Sequence, residues 1–367
     1  MFRKLFLMSL ILLLAFGLVA CAEDEPVADD PVDEVDVVED EVDEEVTDED
    51  EWDAIIEAAQ EEGRVVVYSS GDPRFEEPAM DIFEEMFGIT VEYARPGGGE
   101  VVTRQIETEK TAGQNLVDVV TLTDETLAIY LHDNDWARVV GGNVLPNSSN
   151  YLPEFQQDEY YFFPAYILPM PIMYNSELVA EDEVPETYYD LTDPRWDGNI
   201  TFGQPENAGS VVATIYAFQE MYGWDFIEQL KENNLSETRL SGESALRIAQ
   251  GEMEIGVIPS IWALQQVFEG FPVELYFPEN LVTTKGVSVV MEDSPNPNAA
   301  LLMQNFMLSE DWLEGWDNPA VGVWFPFDME TVADQHLPDD PDLYEFDLND
   351  FFEKRLDVIE KWREIMG

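Results

Sequence analysis

The sequence predicts an α/β fold, and two observations carry this prediction. Short apolar runs rich in β-branched residues, such as the one at residues 64–69, are typical of buried strands. Segments with apolar residues three or four positions apart, which favour amphipathic helices, stand between these runs. Such alternation indicates mainly parallel sheets covered by helices. The chain is long and apolar enough for one large domain or two moderate lobes.

The first half of the predicted folded body alternates helix and strand. Its predicted elements are, in order, a helix at 52–62, a strand at 64–69, a helix at 75–86, a strand at 90–93, a helix at 101–111 and a strand at 116–122. Each strand ends in a loop of small or polar residues that opens a helix. Ligands of open α/β sheets bind at the carboxyl ends of strands, so these loops form half of a candidate site.

The second half begins with a segment that crosses the fold. Residues 162–174 are apolar and extended, and Pro164, Pro169 and Pro171 exclude a regular helix. The strand at 286–291 is the predicted return crossing. The other predicted elements are strands at 199–203 and 254–258 and helices at 211–221, 298–308 and 348–365. The last helix carries a predicted apolar face of Phe351, Leu356, Ile359 and Trp362.

The N-terminus is predicted to be a lipoprotein signal. An almost wholly apolar run at 5–20 is shorter than the roughly 20 residues of a membrane-spanning helix and fits a secretory signal. It closes on the chain's single cysteine, Cys21, in a Leu-Val-Ala-Cys sequence that resembles a bacterial lipobox. Residues 1–21 are therefore the predicted signal and Cys21 the lipid attachment site, with an uncleaved anchor helix as the alternative. Both readings place the remainder outside the cytoplasmic membrane, at the cell surface or in the periplasm.

A strongly acidic stretch follows the cysteine. Residues 22–51 hold 18 Asp or Glu and no Lys or Arg, so they repel each other and cannot bury enough apolar surface to fold. They are predicted to be a disordered tether, the alternative being a loose trap for divalent cations. The whole chain has a formal net charge of −62, which argues against nucleic acid and anionic lipid head groups as partners.

Five stretches, in this order, resemble those of a known family. They are Val65-Val66-Val67-Tyr68-Ser69-Ser70, Gly97-Gly98-Gly99-Glu100, Met173-Tyr174-Asn175-Ser176-Glu177-Leu178-Val179, residues 184–200 and residues 298–309. The set is similar to the periplasmic binding protein type 2 superfamily, and within it to the extracellular solute-binding proteins of iron(III)-type ABC importers. The stretch at 184–200 is the most specific of the five.

The resemblance implies two α/β lobes joined by two crossing strands, with a ligand buried in the cleft by hinge closure. It divides the chain into a first lobe at 52–165 with 283–325, a second lobe at 166–282, and a C-terminal segment at 326–367 that packs on the lobes. It also implies a membrane permease as partner, an ATPase that drives uptake, no cofactor and a monomer.

The chain departs from this family where iron ligands are expected. Iron-binding members place a His or Tyr just after the first strand, where this chain has Gly71-Asp72-Pro73. They place adjacent tyrosines after the strand at 254–258, where this chain has Pro259-Ser260-Ile261-Trp262. Ferric iron requires anionic oxygen ligands, so a different solute is expected and no metal site is predicted.

The candidate ligand-binding residues of the first lobe follow its three strands. They are Ser69, Ser70, Gly71, Gly98, Gly99, Thr123 and Asp124. Free amides at the first loop would hold an oxyanion, or its serines simply cap a helix. The glycines allow close approach of the backbone to a ligand, or form a mere turn. Asp124 pairs with a ligand amine or caps a helix.

The candidates of the second lobe are Tyr174, Asn207, Ala208, Gly209, Ser210, Ser260 and Trp262. The resemblance places 207–210 at a helix start that faces the ligand, the alternative again being a cap. Ser260 and Trp262 replace the iron tyrosines in position and are expected to contact another solute. Tyr174 either walls the cleft or lies in the core.

The sequence thus predicts a lipid-anchored solute-binding protein of an ABC importer, holding a small, polar, oxyanionic solute on helix-start amides and hydroxyls. A ferric-iron binding protein with atypical ligands and a ligand-sensing surface lipoprotein without a transport role are the alternatives. An enzyme on the same fold is disfavoured. His132 and His336 have no triad-like or metal-binding neighbours, and no phosphate loop of the Gly-Lys-Ser/Thr type is present.

Overall fold

The computed structural model describes residues 48–316, 321–327, 336–339 and 341–367. Cys21 and almost all of the predicted tether lie outside these residues, so the lipid anchor stays a prediction. Within the described part of the chain, no helix combines the length and the hydropathy required to cross a membrane.

Among the described residues, the strands form two five-stranded sheets and one two-stranded antiparallel sheet. In chain order they are β1 (Arg64–Ser69), β2 (Thr90–Ala94), β3 (Val119–Leu122), β4 (Val140–Gly141), β5 (Glu159–Tyr160), β6 (Phe163–Pro169), β7 (Ile172–Asn175), β8 (Ile200–Gly203), β9 (Ser236–Thr238), β10 (Ile255–Val257), β11 (Val273–Tyr276) and β12 (Thr283–Val290). The first sheet has the order β2-β1-β3-β12-β6, and the second has the order β11-β7-β10-β8-β9.

The α-helices cover these sheets. They are α1 (Asp48–Glu62), α2 (Pro73–Phe87), α3 (Gly99–Thr111), α4 (Glu125–Asp133), α5 (Gly209–Tyr222), α6 (Trp224–Glu232), α7 (Ser241–Ala249), α8 (Ser260–Phe268), α9 (Pro297–Phe306), α10 (Glu310–Gly315) and α11 (Leu348–Met366). We call the first sheet with α1–α4, α9 and α10 the first lobe, and the second sheet with α5–α8 and α11 the second lobe. The predicted α/β class is confirmed, and the exact lobe boundaries stay a prediction.

The parallel strands are those that end at the predicted site. β1 is parallel to β2 and β3, and β8 is parallel to β9 and β10. The strands next to the crossings, β6, β7 and β12, pair antiparallel with their neighbours. Each sheet is therefore mixed, with a parallel half that carries the helix-opening loops.

The two crossings lie side by side. The chain leaves the first sheet after β6 and returns to it through β12, and the Met170 amide donates to the Val282 carbonyl oxygen at 2.9 Å. The Tyr188 hydroxyl donates to the Met170 carbonyl oxygen at 2.7 Å and accepts from the Val282 amide at 3.2 Å. Tyr188 is fully buried, and its hydroxyl therefore joins both crossings.

Two predicted features differ from the structure. The first helix already includes Asp48, the first described residue, four residues before the predicted start. On α11, Leu356 is 67% exposed, whereas Arg355 is 5% exposed. Leu356 is five residues from the buried Phe351, which rotates it by about 140° around the helix, while Arg355 is only about 40° away. The apolar face predicted for this helix was therefore wrong by one residue.

Candidate functional site

The loops predicted to bind the ligand meet between the two lobes. A Cβ atom at Gly98, which precedes α3, would lie 3.2 Å from the carbonyl oxygen of Asn207 in the second lobe. A Cβ atom at Gly209, the first residue of α5, would come within 2.5 Å of the Asp124 Cβ atom in the first lobe. Four sequence-predicted residues thus lie in contact across the cleft, and the two glycines permit that contact because they have no side chain.

The helices that open at this contact have no side-chain cap. The residues before α3 and α5 are Gly98 and Ala208, and neither forms a capping hydrogen bond. The first amides of an α-helix have no partner within the helix, and the N-terminus carries a partial positive charge. Two helix starts with unpaired donors, one from each lobe, therefore face the same part of the cleft and favour an anion there.

The start of α7 adds a residue that the sequence analysis missed. Ser241 is 5% exposed, and its hydroxyl has no hydrogen-bond partner among the described residues. The residue before it, Leu240, forms no capping bond. A Cβ atom at Gly203, the last residue of β8, would lie 2.8 Å from the Ser241 Oγ atom. The Ser241-Gly242 pair, which begins three residues after the end of β9, was the available signal.

The serines after β1 serve the loop itself. Ser69 is fully buried; its hydroxyl donates to the Glu76 carboxylate and accepts from the Gly71 amide at 2.8 Å. The Ser70 hydroxyl accepts from the Thr123 amide at 3.0 Å. Asp72, not a serine, caps α2. The two hydroxyls thus form hydrogen bonds within the first lobe. Through these bonds they position the backbone of Gly71 and Thr123.

The buried side chain of Glu76 holds this loop in place through hydrogen bonds. It is 2% exposed and accepts hydrogen bonds from the hydroxyls of Ser69, Tyr93 (2.7 Å) and Thr121 (3.0 Å). Burial raises the pKa of the Glu76 carboxyl above its ordinary value, and the three donors oppose that rise. A side chain at Gly71 would collide with the Glu76 carboxylate, which explains the glycine there.

Asp124 caps a helix and pairs with a cation from the C-terminal helix. Its carboxylate accepts from the Thr126 amide at 2.9 Å and from the Thr126 hydroxyl at 2.6 Å. It also forms an ion pair with Arg355, whose guanidinium lies 2.9 Å from the Glu100 carboxylate on α3. Asp124 thus caps α4, one of its two predicted roles, and Arg355 is a second residue that the sequence analysis missed.

Arg95 is a third missed residue. It directly follows β2, is exposed, and donates from Nε to the Gly71 carbonyl oxygen. None of the ion pairs among the described residues involves Arg95. Its position between a strand end and the glycine-rich turn was the available signal. The guanidinium keeps donors for a ligand beside the cleft.

The two candidates that follow β10, Ser260 and Trp262, have different environments. Trp262 is half-buried at the cleft, with the Arg74 guanidinium 4.9 Å from its ring centroid and a Cβ atom at Gly242 3.1 Å from its ring. Ser260 is fully buried, and its hydroxyl donates to the Gly322 carbonyl oxygen. The Ser260 hydroxyl is thus occupied, while Trp262 lines the cleft.

Tyr174 and Gly99 have structural roles. Tyr174 lies opposite Ile255, at the end of β7 away from the carboxyl end of β10, and its hydroxyl donates to Glu274 at 2.8 Å. Burial, with the Glu274 carboxylate, raises the pKa of Tyr174 to about 12. A Cβ atom at Gly99 would collide with the end of the Leu127 side chain on α4, so the glycine lets α3 and α4 pack closely. The suggestion that Tyr174 walls the cleft is not supported, since its partners lie in the second sheet.

The described residues hold no group of three or more His, Cys, Asp or Glu side chains placed to bind a metal ion. The positions after β1 and β10, where the resemblance expected iron ligands, carry Gly71 and Ser260.

The family model for bacterial extracellular solute-binding proteins matches residues 143–344, more than half of the chain. An uncharacterized protein of Haemophilus influenzae is 26% identical over 336 residues, covering 84% of this chain and 92% of that protein. A putative 2-aminoethylphosphonate-binding periplasmic protein of Salmonella typhimurium is 23% identical over 273 residues, covering 68% of this chain and 75% of that protein.

Solved structures share the fold. The periplasmic binding protein AfuA from Actinobacillus pleuropneumoniae, with fructose-6-phosphate bound, has a TM-score of 0.71 at 22% identity and covers 83% of this chain and 98% of AfuA. Iron-bound HitA from Pseudomonas aeruginosa has a TM-score of 0.70 at 17% identity and covers 82% of this chain and 99% of HitA. The chain therefore has the two-lobed architecture of periplasmic binding proteins.

Proposed function

We propose, from the premise that this chain belongs to the bacterial extracellular solute-binding proteins, that it captures a small, polar, oxyanionic solute between its lobes. The chain is a solute-binding protein of the ABC importer type. In the proposed mechanism, hinge motion at the paired crossings closes the lobes on the solute, and the closed form delivers it to a membrane permease.

One observation carries the choice of an oxyanion: the uncapped starts of α3 and α5 face each other across the cleft. Each start offers amide donors and the positive end of a helix dipole. An anion between them would gain donors from both lobes only when the lobes are close, so its binding would favour closure. The hydroxyl of Ser241 and the guanidinium of Arg95 supply further donors.

Two of the relatives support the same chemistry. Their named ligands, 2-aminoethylphosphonate and fructose-6-phosphate, both carry a phosphorus oxyanion, whereas HitA is named with iron. Asp124 is already neutralised by Arg355, so the site does not require a cationic group from the solute. The absence of tyrosines after β10 disfavours the iron alternative.

The solute proposal is tested on the full chain with inorganic phosphate, sulfate, 2-aminoethylphosphonate, fructose-6-phosphate and ferric citrate, by thermal shift and then by calorimetry. We expect a phosphorus oxyanion to raise the melting temperature by several degrees. Arg95→Gln is expected to weaken its binding about tenfold, which corresponds to about 1.4 kcal/mol. Arg104→Gln on α3, which is equally exposed, is the matched control and should bind normally. A shift with ferric citrate but not with iron-free citrate would establish the iron alternative, and no shift with any of these compounds would contradict the proposal.

We also propose that Cys21 carries the lipid that holds this binding protein at a membrane, with the acidic segment as its tether. Cys21→Ser is expected to move the expressed protein from the membrane fraction to the soluble fraction. Retention of the variant in the membrane fraction would instead indicate an uncleaved anchor helix.

A further inference from the structure

The C-terminal helix α11 belongs to the second lobe by its packing. Phe351, Val358 and Trp362 are buried in the core that also contains the apolar side chains of α5 and α6. The Trp362 Nε1 atom donates to Glu237 on β9 at 2.8 Å. The helix therefore moves with the second lobe in any hinge motion.

One basic side chain of α11 reaches the first lobe. Lys354 pairs with Glu220 on α5, Arg363 pairs with Glu206 before α5, and Lys361 pairs with Glu364 within α11 itself. Arg355 instead pairs with Asp124 at the start of α4 and with Glu100 on α3. Its Nη1 atom also lies 3.4 Å from the Thr126 hydroxyl. Arg355 is thus an ionic connection between the lobes, located beside the uncapped helix starts.

Because Asp124 and Arg355 are buried, loss of their ion pair affects the closed form and the open form differently. Asp124 is 3% exposed and Arg355 is 5% exposed when the lobes are in contact. Separation of the lobes would return the Asp124 carboxylate to water, where it needs no partner. In the closed form, the same carboxylate without Arg355 would be a buried charge with no counterion, which is strongly unfavourable. Loss of Arg355 must therefore penalise the closed form more than the open form.

We propose that Arg355 is a positioning residue for solute capture: it neutralises Asp124 as the lobes meet and so permits the cleft to close. Through Glu100 and Asp124, the residue holds the starts of α3 and α4 against the second lobe without contacting the solute itself. This role rests on the proposed capture between the lobes, but closure can be measured without any solute, so the two proposals fail independently.

Closure is measured by electron–electron double resonance between spin labels on the full chain. Gln114→Cys in the first lobe and Glu232→Cys in the second lobe are exposed label sites, introduced with Cys21→Ser so that no other thiol reacts. We expect the solute-free parent protein to show a population at a short distance. Arg355→Met is expected to move at least half of that population to a longer distance, whereas Arg363→Gln, whose pair stays within the second lobe, should match the parent.

A second substitution separates charge neutralisation from lost packing. Adding Asp124→Asn to Arg355→Met removes the uncompensated charge, so most of the short-distance population is expected to return. A purely structural role would instead make the two substitutions additive. An unchanged distance distribution in Arg355→Met, or no return in the double variant, would overturn the proposal. If Arg355→Met does not fold, Arg355→Lys takes its place and is expected to open a smaller fraction; an unchanged distribution in that variant would overturn the proposal equally.

Discussion

The Tyr188 hydroxyl, carried by the turn at 188–192, donates to the Met170 carbonyl oxygen at 2.7 Å. Its second bond, from the Val282 amide, ties the return crossing to the outgoing one. The two crossings are thus joined by a tyrosine in the segment whose resemblance to the family is most specific, and the next tyrosine, Tyr189, is 46% exposed.

Tyr188→Phe is expected to lower the free energy of unfolding by about 1–3 kcal/mol, because it leaves the buried Val282 amide without its partner. The measurement is chemical denaturation of the full chain. Tyr189→Phe makes the same chemical change on a neighbouring exposed side chain and should stay within about 0.5 kcal/mol of the wild type. Equal effects in the two variants would contradict the role given to the Tyr188 hydroxyl.

Arg74→Gln is expected to weaken solute binding two- to fivefold. The Arg74 guanidinium lies over the Trp262 ring from the opposite lobe, and such contacts contribute about 0.5–1 kcal/mol at partly exposed sites. The affinity is measured by calorimetry with the solute that raises the melting temperature most. Arg64→Gln, at the other end of β1 and paired with the exposed Glu92, should leave the affinity unchanged. Identical affinities in both variants would show that the contact does not contribute to closure.

Glu76→Gln is expected to change how stability depends on pH. Burial raises the pKa of Glu76, so the native state holds this proton more tightly than the unfolded state, whose ordinary value is 4.5. The stability that Glu76 contributes is then complete below that value and is lost as pH rises through its native pKa. Denaturation at several pH values should show the wild type losing more stability than Glu76→Gln above about pH 4.5.

The exposed neighbour Glu77 provides the control for that comparison. Glu77→Gln should retain the pH dependence of the wild type. Parallel curves for the wild type and Glu76→Gln would mean that the three hydroxyl donors fully offset the effect of burial on the Glu76 carboxyl.

Phe351→Ala and Leu356→Ala test the corrected face of α11. Phe351 is 3% exposed and Leu356 is 67% exposed. Truncation of the buried ring is expected to cost about 3–5 kcal/mol of unfolding free energy. Truncation of Leu356 should change it by less than about 0.5 kcal/mol. A large loss in Leu356→Ala, measured by the same denaturation, would restore the face predicted from the sequence.

Salt is expected to stabilise the protein. The formal net charge of −62 makes like-charge repulsion a general cost of the compact state, and salt screens it over about 3 Å at 1 M ionic strength. The melting temperature of the full chain should therefore rise by several degrees from low to molar sodium chloride. A melting temperature that stays flat over this range would argue that the acidic groups are too far apart or too well hydrated to matter.

The strand and helix order could be predicted because it depends on local periodicity. The strand at 64–69 and the helix at 348–365 were placed within a residue of the observed β1 and α11. Gly98 and Gly209 were among the predicted ligand-binding residues, Gly98 because glycine permits close approach to a ligand and Gly209 because of the family resemblance. Their contacts across the cleft were not predicted. Arg355 could not be predicted in this way, because its partners Asp124 and Glu100 are more than 200 positions away along the chain.

The hydrogen-bond partners of the site's side chains could not be predicted, for a similar reason. The hydroxyls of Ser69 and Ser260 appeared available for a ligand, but Glu76 and the Gly322 carbonyl oxygen occupy them. Tyr174 resembled a cleft aromatic until its strand register placed it beside Glu274. A side chain forms hydrogen bonds with groups that the fold brings near it. A local sequence pattern does not identify those groups, because they belong to other segments of the chain.

The sequence by itself determined the α/β class, the family resemblance and the loops at which a ligand would bind, because periodicity, glycine placement and motif order are local properties of the chain. Only the tertiary structure decided which of those loops touch, which hydroxyls are already bonded, and that a buried arginine from the last helix neutralises Asp124. Burial and charge pairing depend on the distances between remote segments, and those distances exist only once the two lobes have folded and met.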